Sequence, residues 1–425
     1  MGASIVIGFE RRAILGGSAL VGLVVAGPTS SAWAFSQPKD ALPNLAKAAL
    51  PISVEERLSR ITKVQSLMRT AGLGALLVEP GSSLVYFSGI EWWRSERVTA
   101  LLIPADGDAI VITPFFEAPS IRESLAITAD VRTWNEDESP FALAAEWLRE
   151  RKLDHFPVAI EETVRRFVVD GLQGALPAAR LQSGAAIVRA CRMHKSHAEI
   201  ALMQLAADIT VAAFRNVGPR IAIGMTPMEV GQMIQAATTE MGAESDLPLV
   251  LIGEASAYPH GSGMPQRVRE GDVILIDGGC SVQGYTSDIS RTMVFGDPSK
   301  AQRLVWDQVH RGQQIALEAA RLGVPAGSVD DQVRAWYEKL GYGPGYRLPG
   351  LSHRTGHGIG MDGHEPVNLV HGETTLLQPG MCFSNEPGIY IPGQFGIRLE
   401  DCFHMTAEGP QWFSTPAPSI DNPFG

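Results

Sequence analysis

At 425 residues the chain is long enough to bury the cores of two sizeable domains. Its composition, 45% hydrophobic and 19% charged, is that of an ordinary soluble globular protein. The formal net charge of −11 argues against nucleic-acid binding as its main task. The first 34 residues stand apart: Arg11-Arg12 precede the apolar run Ala13 to Gly27, and Ala32-Trp33-Ala34 reads as a small-x-small cleavage site. The run is short and glycine-rich for a membrane span. The segment reads as a cleaved export signal of the twin-arginine type, with an uncleaved anchor as the alternative.

From Val54 to about Ala190 helix and strand patterns alternate, predicting an α/β domain over 50–190. Arg57 to Gly72 has helical spacing and a glycine stop. Strands are expected at Ala75 to Val78, Val85 to Phe87, Ala100 to Ile103 and Ala109 to Ile112. A helix follows from about Pro140 to Arg151, then a strand beginning at Ala159. No ligand-type cluster falls there. The second domain, 191–425, opens with a helix from Met193 to Val217. Thr226-Pro227-Met228-Glu229 carries the Thr cap, first-position Pro and third-position Glu of another. Strands are expected at Val273 to Ile276, Ser290 to Phe295, Met381 to Ile391 and Phe395 to Met405, with a helix at Lys300 to Arg321. This order is α+β. Cys191, Cys280, Cys382 and Cys402 lack CxxC spacing and disulfide-scaffold density, so they read as buried small residues rather than pairs.

The chemistry gathers in this second domain. Asp277 ends the run VILI and precedes Gly278-Gly279, and Asp288 follows across a turn-rich loop. A hairpin can set two such carboxylates side by side. Each alone could be a turn former. Glu386 and Glu400 flank a second hairpin with its turn near Pro392-Gly393-Gln394. Glu400 interrupts an apolar strand, so it must be paired, for instance with Arg398, or bound to a cation. The segment Ser352 to Pro366 holds His353, His357 and His364 among glycines that let the backbone approach a ligand. Its spacing is not the HExxH of helix-borne zinc sites. His260, in YPHGSG, is a further candidate. Four carboxylates and one imidazole brought together would repel unless cations hold them, and two divalent ions would neutralise the set.

The order Asp277, Asp288, His357, Glu386, Glu400 in the contexts IDGG, SDISRT, TGHGIG, EPGIY and GIRLED resembles the pita-bread metallopeptidases. It is most similar to their Xaa-Pro branch, the prolidases and aminopeptidase P, over about Ala185 to Met405. The first domain resembles, less specifically, the creatinase-type N-terminal domain of that branch. The resemblance implies a pita-bread fold and two divalent metal ions, Mn²⁺ favoured, with Zn²⁺, Co²⁺ or Fe²⁺ as alternatives. It implies that Asp277 holds one metal, that Asp288 and Glu400 bridge both, and that His357 and Glu386 complete the other. Glu386 would also move the proton of a bridging water. His260, His353 and His364 would line the substrate site, Arg398 would support it or meet a substrate carboxylate, and Tyr285 would support the metal ligands. The implied substrate is a proline-containing peptide, the implied assembly a homodimer. A creatinase-like or cyclic-amidine hydrolase is the alternative, but creatinases lack several ligands that this chain has. One departure stands out. Many prolidases have an Arg shortly after the histidine matching His364, and this chain has Asn368, which shifts attention to Arg398 and to the loop Trp92 to Arg97 as carboxylate receptors. Export of a folded protein, to the periplasm and without lasting membrane association, suits one that takes up metal first.

Overall fold

The computed structural model describes residues 41–425; the expected export signal lies outside the described residues. The first domain is built on a six-stranded sheet, in the order Ala129–Trp134, Ala109–Pro114, Ala100–Pro104, Ala75–Val78, Val158–Ile160, Leu181–Ser183. The middle strands run antiparallel and the outer pairs parallel. Helices cover both faces, so the strands read as continuous apolar runs. Leu76 and Val78 face one core, Ala75 and Leu77 the other. Helix Val54–Thr70 starts where the Ser53 hydroxyl accepts the Glu56 N–H.

Val85, Tyr86 and Phe87, expected in a strand, lie instead in helix Ser82–Ser88. A short apolar run does not tell a buried strand from a buried helix turn. Here Gly89, at φ 81°, closes the turn. Strands Ala129–Trp134 and Leu181–Ser183 and helix Arg166–Ala175 were not expected; the first two have little buried surface to mark them.

Helix Ala185–Arg192 ends the first domain. The helix expected from Met193 begins only at His197, because Ser196 and Glu199 form a capping box there. It runs to Val217 and packs in a core with Pro227–Glu240 against a three-stranded antiparallel sheet, Ile289–Val294, Val273–Gly278, Leu249–Ile252. Helices Lys300–Ala319 and Gly327–Lys339 pack against a five-stranded sheet in the order Glu365–Leu369, Gly356–Gly358, Cys382–Asn385, Asp401–Thr406, Gly409–Trp412. A two-stranded ladder, Gly388–Ile391 with Phe395–Arg398, joins the halves. The two long strands expected at 381–391 and 395–405 are thus each broken, at Glu386-Pro387 and Leu399-Glu400. At that break each strand changes partner sheet.

Candidate metal centre

The strand breaks place the carboxylates. Cys382–Asn385 pairs with Asp401–Thr406 up to Asn385 opposite Asp401, and the ladder resumes with Gly388 opposite Arg398. Glu386 and Glu400 fall in the gap between, where neither strand is straight. Glu386 donates its N–H to the Thr355 carbonyl (2.8 Å), and Glu400 donates its own to the Ser290 carbonyl (3.1 Å). Asp277 is the penultimate residue of the opposing strand, directly across from Ser290. Asp288 immediately precedes Ile289. The chain between them turns back tightly enough that a Cβ on Gly279 would stand 1.7 Å from the Ser287 carbonyl oxygen, so only glycine fits. His357 is the middle residue of the strand Gly356–Gly358 and is 1% exposed.

These five residues converge. Ligand atoms of Asp277, Asp288 and Glu400 lie within 4.8 Å of one another, as do those of His357, Glu386 and Glu400. Glu400 belongs to both groups. His357 Nε2 stands 3.7 Å from Asp288 and 3.6 Å from Glu386. Its Nδ1 is 3.0 Å from the Gly358 carbonyl oxygen. Donation there leaves the Nε2 lone pair facing the carboxylates, as a metal-ligating imidazole requires. Burial, and then mutual repulsion, raises the pKa of Asp288, Glu386 and Glu400 well above the ordinary carboxyl value. Such a set is costly in isolation and is relieved by divalent cations. The donors, mostly oxygens with one imidazole, therefore fit a pair of divalent ions.

Around this set, Arg398 makes four hydrogen bonds. It donates to Asp277 (2.5 Å), Ser290 Oγ (3.0 Å), Tyr390 Oη (3.1 Å) and the Pro259 carbonyl (3.1 Å). The expected Arg398–Glu400 ion pair is absent among the described contacts; Glu400 accepts instead from Ser290 Oγ at 2.7 Å. Four of the five Arg398 N–H groups are thus held by the protein, which ties the guanidinium into the site. His353 bonds Tyr390 Oη through Nε2 (2.8 Å), and burial holds its pKa down at about 3. His364 is exposed at the rim, its ring 4.0 Å from that of His357, within ligand range of Asp288. His260 lines an adjoining cavity of about 640 Å³ with Leu249, Leu251 and Met264.

Two expectations change. Tyr285 does not touch the carboxylates: it donates to Glu199 (2.8 Å) and accepts from Arg60 (3.1 Å), tying the two domains together. Asn368 is paired in register with His357. In the loop Trp92 to Arg97, Arg94 is held by the Pro80 carbonyl and Thr163, and Arg97 by Glu96 and Glu136, so neither is free for a ligand. Sequence reasoning passed over Arg354. It is half-buried, its charge acts on His357, His364 and Glu386, and its guanidinium has no hydrogen-bond partner among the described residues. Its place inside the His-rich segment, next to His353, was the available signal. All four cysteines are free and buried.

The carboxylate and imidazole cluster at the junction of these sheets is the donor set of a hydrolase of the divalent-metal class. Comparison with known proteins agrees. The model of metallopeptidase family M24 matches residues 201–407, and that of the creatinase/prolidase N-terminal domain matches 60–194. The Xaa-Pro dipeptidase of Lactobacillus helveticus is 32% identical over 361 residues, 83% of this chain and 96% of that protein. Among solved structures, the dipeptidase PepE of Mycobacterium ulcerans is 29% identical with a TM-score of 0.78, covering 86% of this chain and 97% of that one. A prolidase from Thermococcus sibiricus is 29% identical with a TM-score of 0.77, covering 84% and 97%. The chain belongs to metallopeptidase family M24 and carries the creatinase/prolidase N-terminal domain.

Proposed function

We propose that this protein is a dinuclear, Mn²⁺-preferring exopeptidase that hydrolyses Xaa-Pro bonds, most readily those of dipeptides. The observation that carries the reading is the complete convergence of Asp277, Asp288, His357, Glu386 and Glu400, with Glu400 shared between the two ligand groups. Bound there, two divalent cations supply the charge that lowers the pKa of a water to near neutrality. Glu386 is the group to take the proton of the attacking water and return it to the leaving nitrogen. His364 at the rim is placed to hydrogen-bond the oxygen that gains charge, while His353, whose ring nitrogens are taken by Tyr390 Oη (2.8 Å) and the Arg354 carbonyl (2.8 Å), positions Tyr390. His260 and the apolar wall beside it would border the peptide. Arg354, whose guanidinium has no hydrogen-bond partner among the described residues, is the receptor this reading gives to a dipeptide's free carboxylate.

The deciding measurement is a panel of Ala-Pro, Gly-Pro, Ala-Pro-Ala and creatine with the metal-stripped protein and added Mn²⁺, Zn²⁺ or Co²⁺. Ala-Pro and Gly-Pro should be cleaved at two Mn²⁺ per chain, the tripeptide more slowly. Hydrolysis of creatine alone would end the peptidase assignment, and full activity at one metal per chain would end the dinuclear one.

Export and assembly belong to the same reading. The Arg11-Arg12 pair, the apolar run and Ala32-Trp33-Ala34 support a periplasmic protein delivered folded, with its metal. Exposed Trp93, Phe115 and Phe116 support a homodimer. Protein recovered from the periplasmic fraction should begin after Ala34 and sediment as a dimer. Changing Arg11-Arg12 to lysines should keep it inside the cell. A mature chain that retains the apolar run would make it an anchor.

A further inference from the structure

His364 is exposed, and no side chain among the described residues hydrogen-bonds its ring; its position is set by the backbone of the loop that carries it. That loop is held from beneath by its neighbour Glu365, which is 6% exposed. Glu365 Oε1 accepts the backbone N–H groups of Met361 (3.0 Å) and Asp362 (3.2 Å), so the carboxylate closes the loop on itself. The same oxygen accepts from Arg192 Nη2 (2.6 Å), and Oε2 accepts from Lys195 Nζ (2.9 Å). Gly360 leaves the room: a Cβ there would stand 2.7 Å from Lys195 Cε and 2.8 Å from Glu365 Oε1.

The contacts continue into the first domain. Arg192 also bonds Asp362 (2.8 Å) and Ser83 Oγ (3.1 Å), and Ser83 donates to Glu161 (3.1 Å). Ser82 bonds Asp362 directly. None of these groups is in the metal-ligand set. The first domain thus reaches a substrate-facing loop through one cation, Arg192, and two serines, Ser82 and Ser83.

We propose that Glu365 is a positioning residue for His364, and that through Arg192 and Asp362 the N-terminal domain fixes where that imidazole stands. The inference rests on the reading of His364 as a group that meets the substrate. Glu365 itself does not reach the reacting atoms. Its carboxylate stays charged because Lys195 and Arg192 outweigh burial, holding its pKa down at about 2. Such a buried pairing is rigid, which suits holding a loop.

A double-mutant cycle separates positioning from general integrity. Glu365→Gln should lower kcat on Ala-Pro roughly 10- to 100-fold while metal content and KM hold, the size expected of a residue that orients another. In a His364→Ala background it should cost nothing further, because its effect passes through that ring. Losses that multiply in the double variant would overturn the proposal. Should Glu365→Gln fail to fold, Ser83→Ala leaves the buried charges paired and takes its place in the cycle. It should slow kcat a few-fold alone and not at all beside His364→Ala. A second readout needs no activity: in histidine-labelled, metal-free protein, the His364 ring resonances should shift in Glu365→Gln while those of exposed His155 stay in place. Unmoved His364 resonances in the folded variant would sink the idea. Wild-type protein inactive on Ala-Pro at full metal load would instead refute the functional reading, leaving the resonance test of the loop intact.

Discussion

Asp288→Asn should abolish divalent-metal binding at one position and cut activity by roughly three orders of magnitude or more, yet leave the metal-free protein at least as stable as the parent. The stability expectation follows from sign. Asp288 is half-buried beside Asp277 and Glu386, and its pKa is raised well above the ordinary carboxyl value by loss of solvation first and repulsion second. A carboxyl whose pKa rises on folding favours the folded state while protonated. That advantage is lost as pH climbs through its unfolded value toward the folded one. At pH 7 the metal-free fold therefore carries a penalty that the neutral amide removes. Thermal melts in chelator at pH 7, with metal analysis and peptide hydrolysis on the same samples, check all three expectations. A variant that melts well below the parent without metal, or that stays metal-loaded and active, would contradict the two-metal cluster.

Arg398→Met should do the reverse to stability. Arg398 is 2% exposed and pairs with Asp277, with Glu400 and Glu386 close enough to raise its own pKa further. Removing it leaves buried carboxylates without their protein cation, a change of about 3–5 kcal/mol for a broken buried pair. The metal-free variant should therefore unfold at much lower temperature, and added Mn²⁺ should recover part of the loss, because the ions supply the charge the guanidinium supplied. Activity should fall even at full metal load, since Ser290 and Tyr390 lose the donor that orders them. Equal melting of variant and parent in chelator would show that Arg398 does not hold the cluster together. The two substitutions make a matched pair: one deletes a negative charge from the set, the other a positive one, and their metal-free stabilities should move apart.

Much of this was legible in the chain. The candidate ligands could be named from their order and glycine settings taken together, since each alone could be a turn former or half of an ion pair. Helix Ser82–Ser88 was not legible, since its apolar run carries no period long enough to reveal the turn. The partners of Arg398 were not legible either. Two-residue spacing made Glu400 the natural guess, whereas the strand break at Leu399 turns the guanidinium toward Asp277 on another sheet. Tyr285 lies close to Asp288 in the chain and still points into the domain seam.

The sequence by itself determined which residues could carry the chemistry and in what order they occur, because residue type and immediate neighbours limit what a buried carboxylate or imidazole can do. Only the tertiary structure decided which charges meet. It placed Glu400 in both ligand groups, turned Arg398 toward Asp277, left the Arg354 guanidinium without a hydrogen-bond partner among the described residues and ran Glu365 back to the first domain. The physical reason is distance. Pairing energies between charges fall off over a few ångströms, and contacts between residues more than a hundred positions apart depend on how the sheets cross, which no local pattern records.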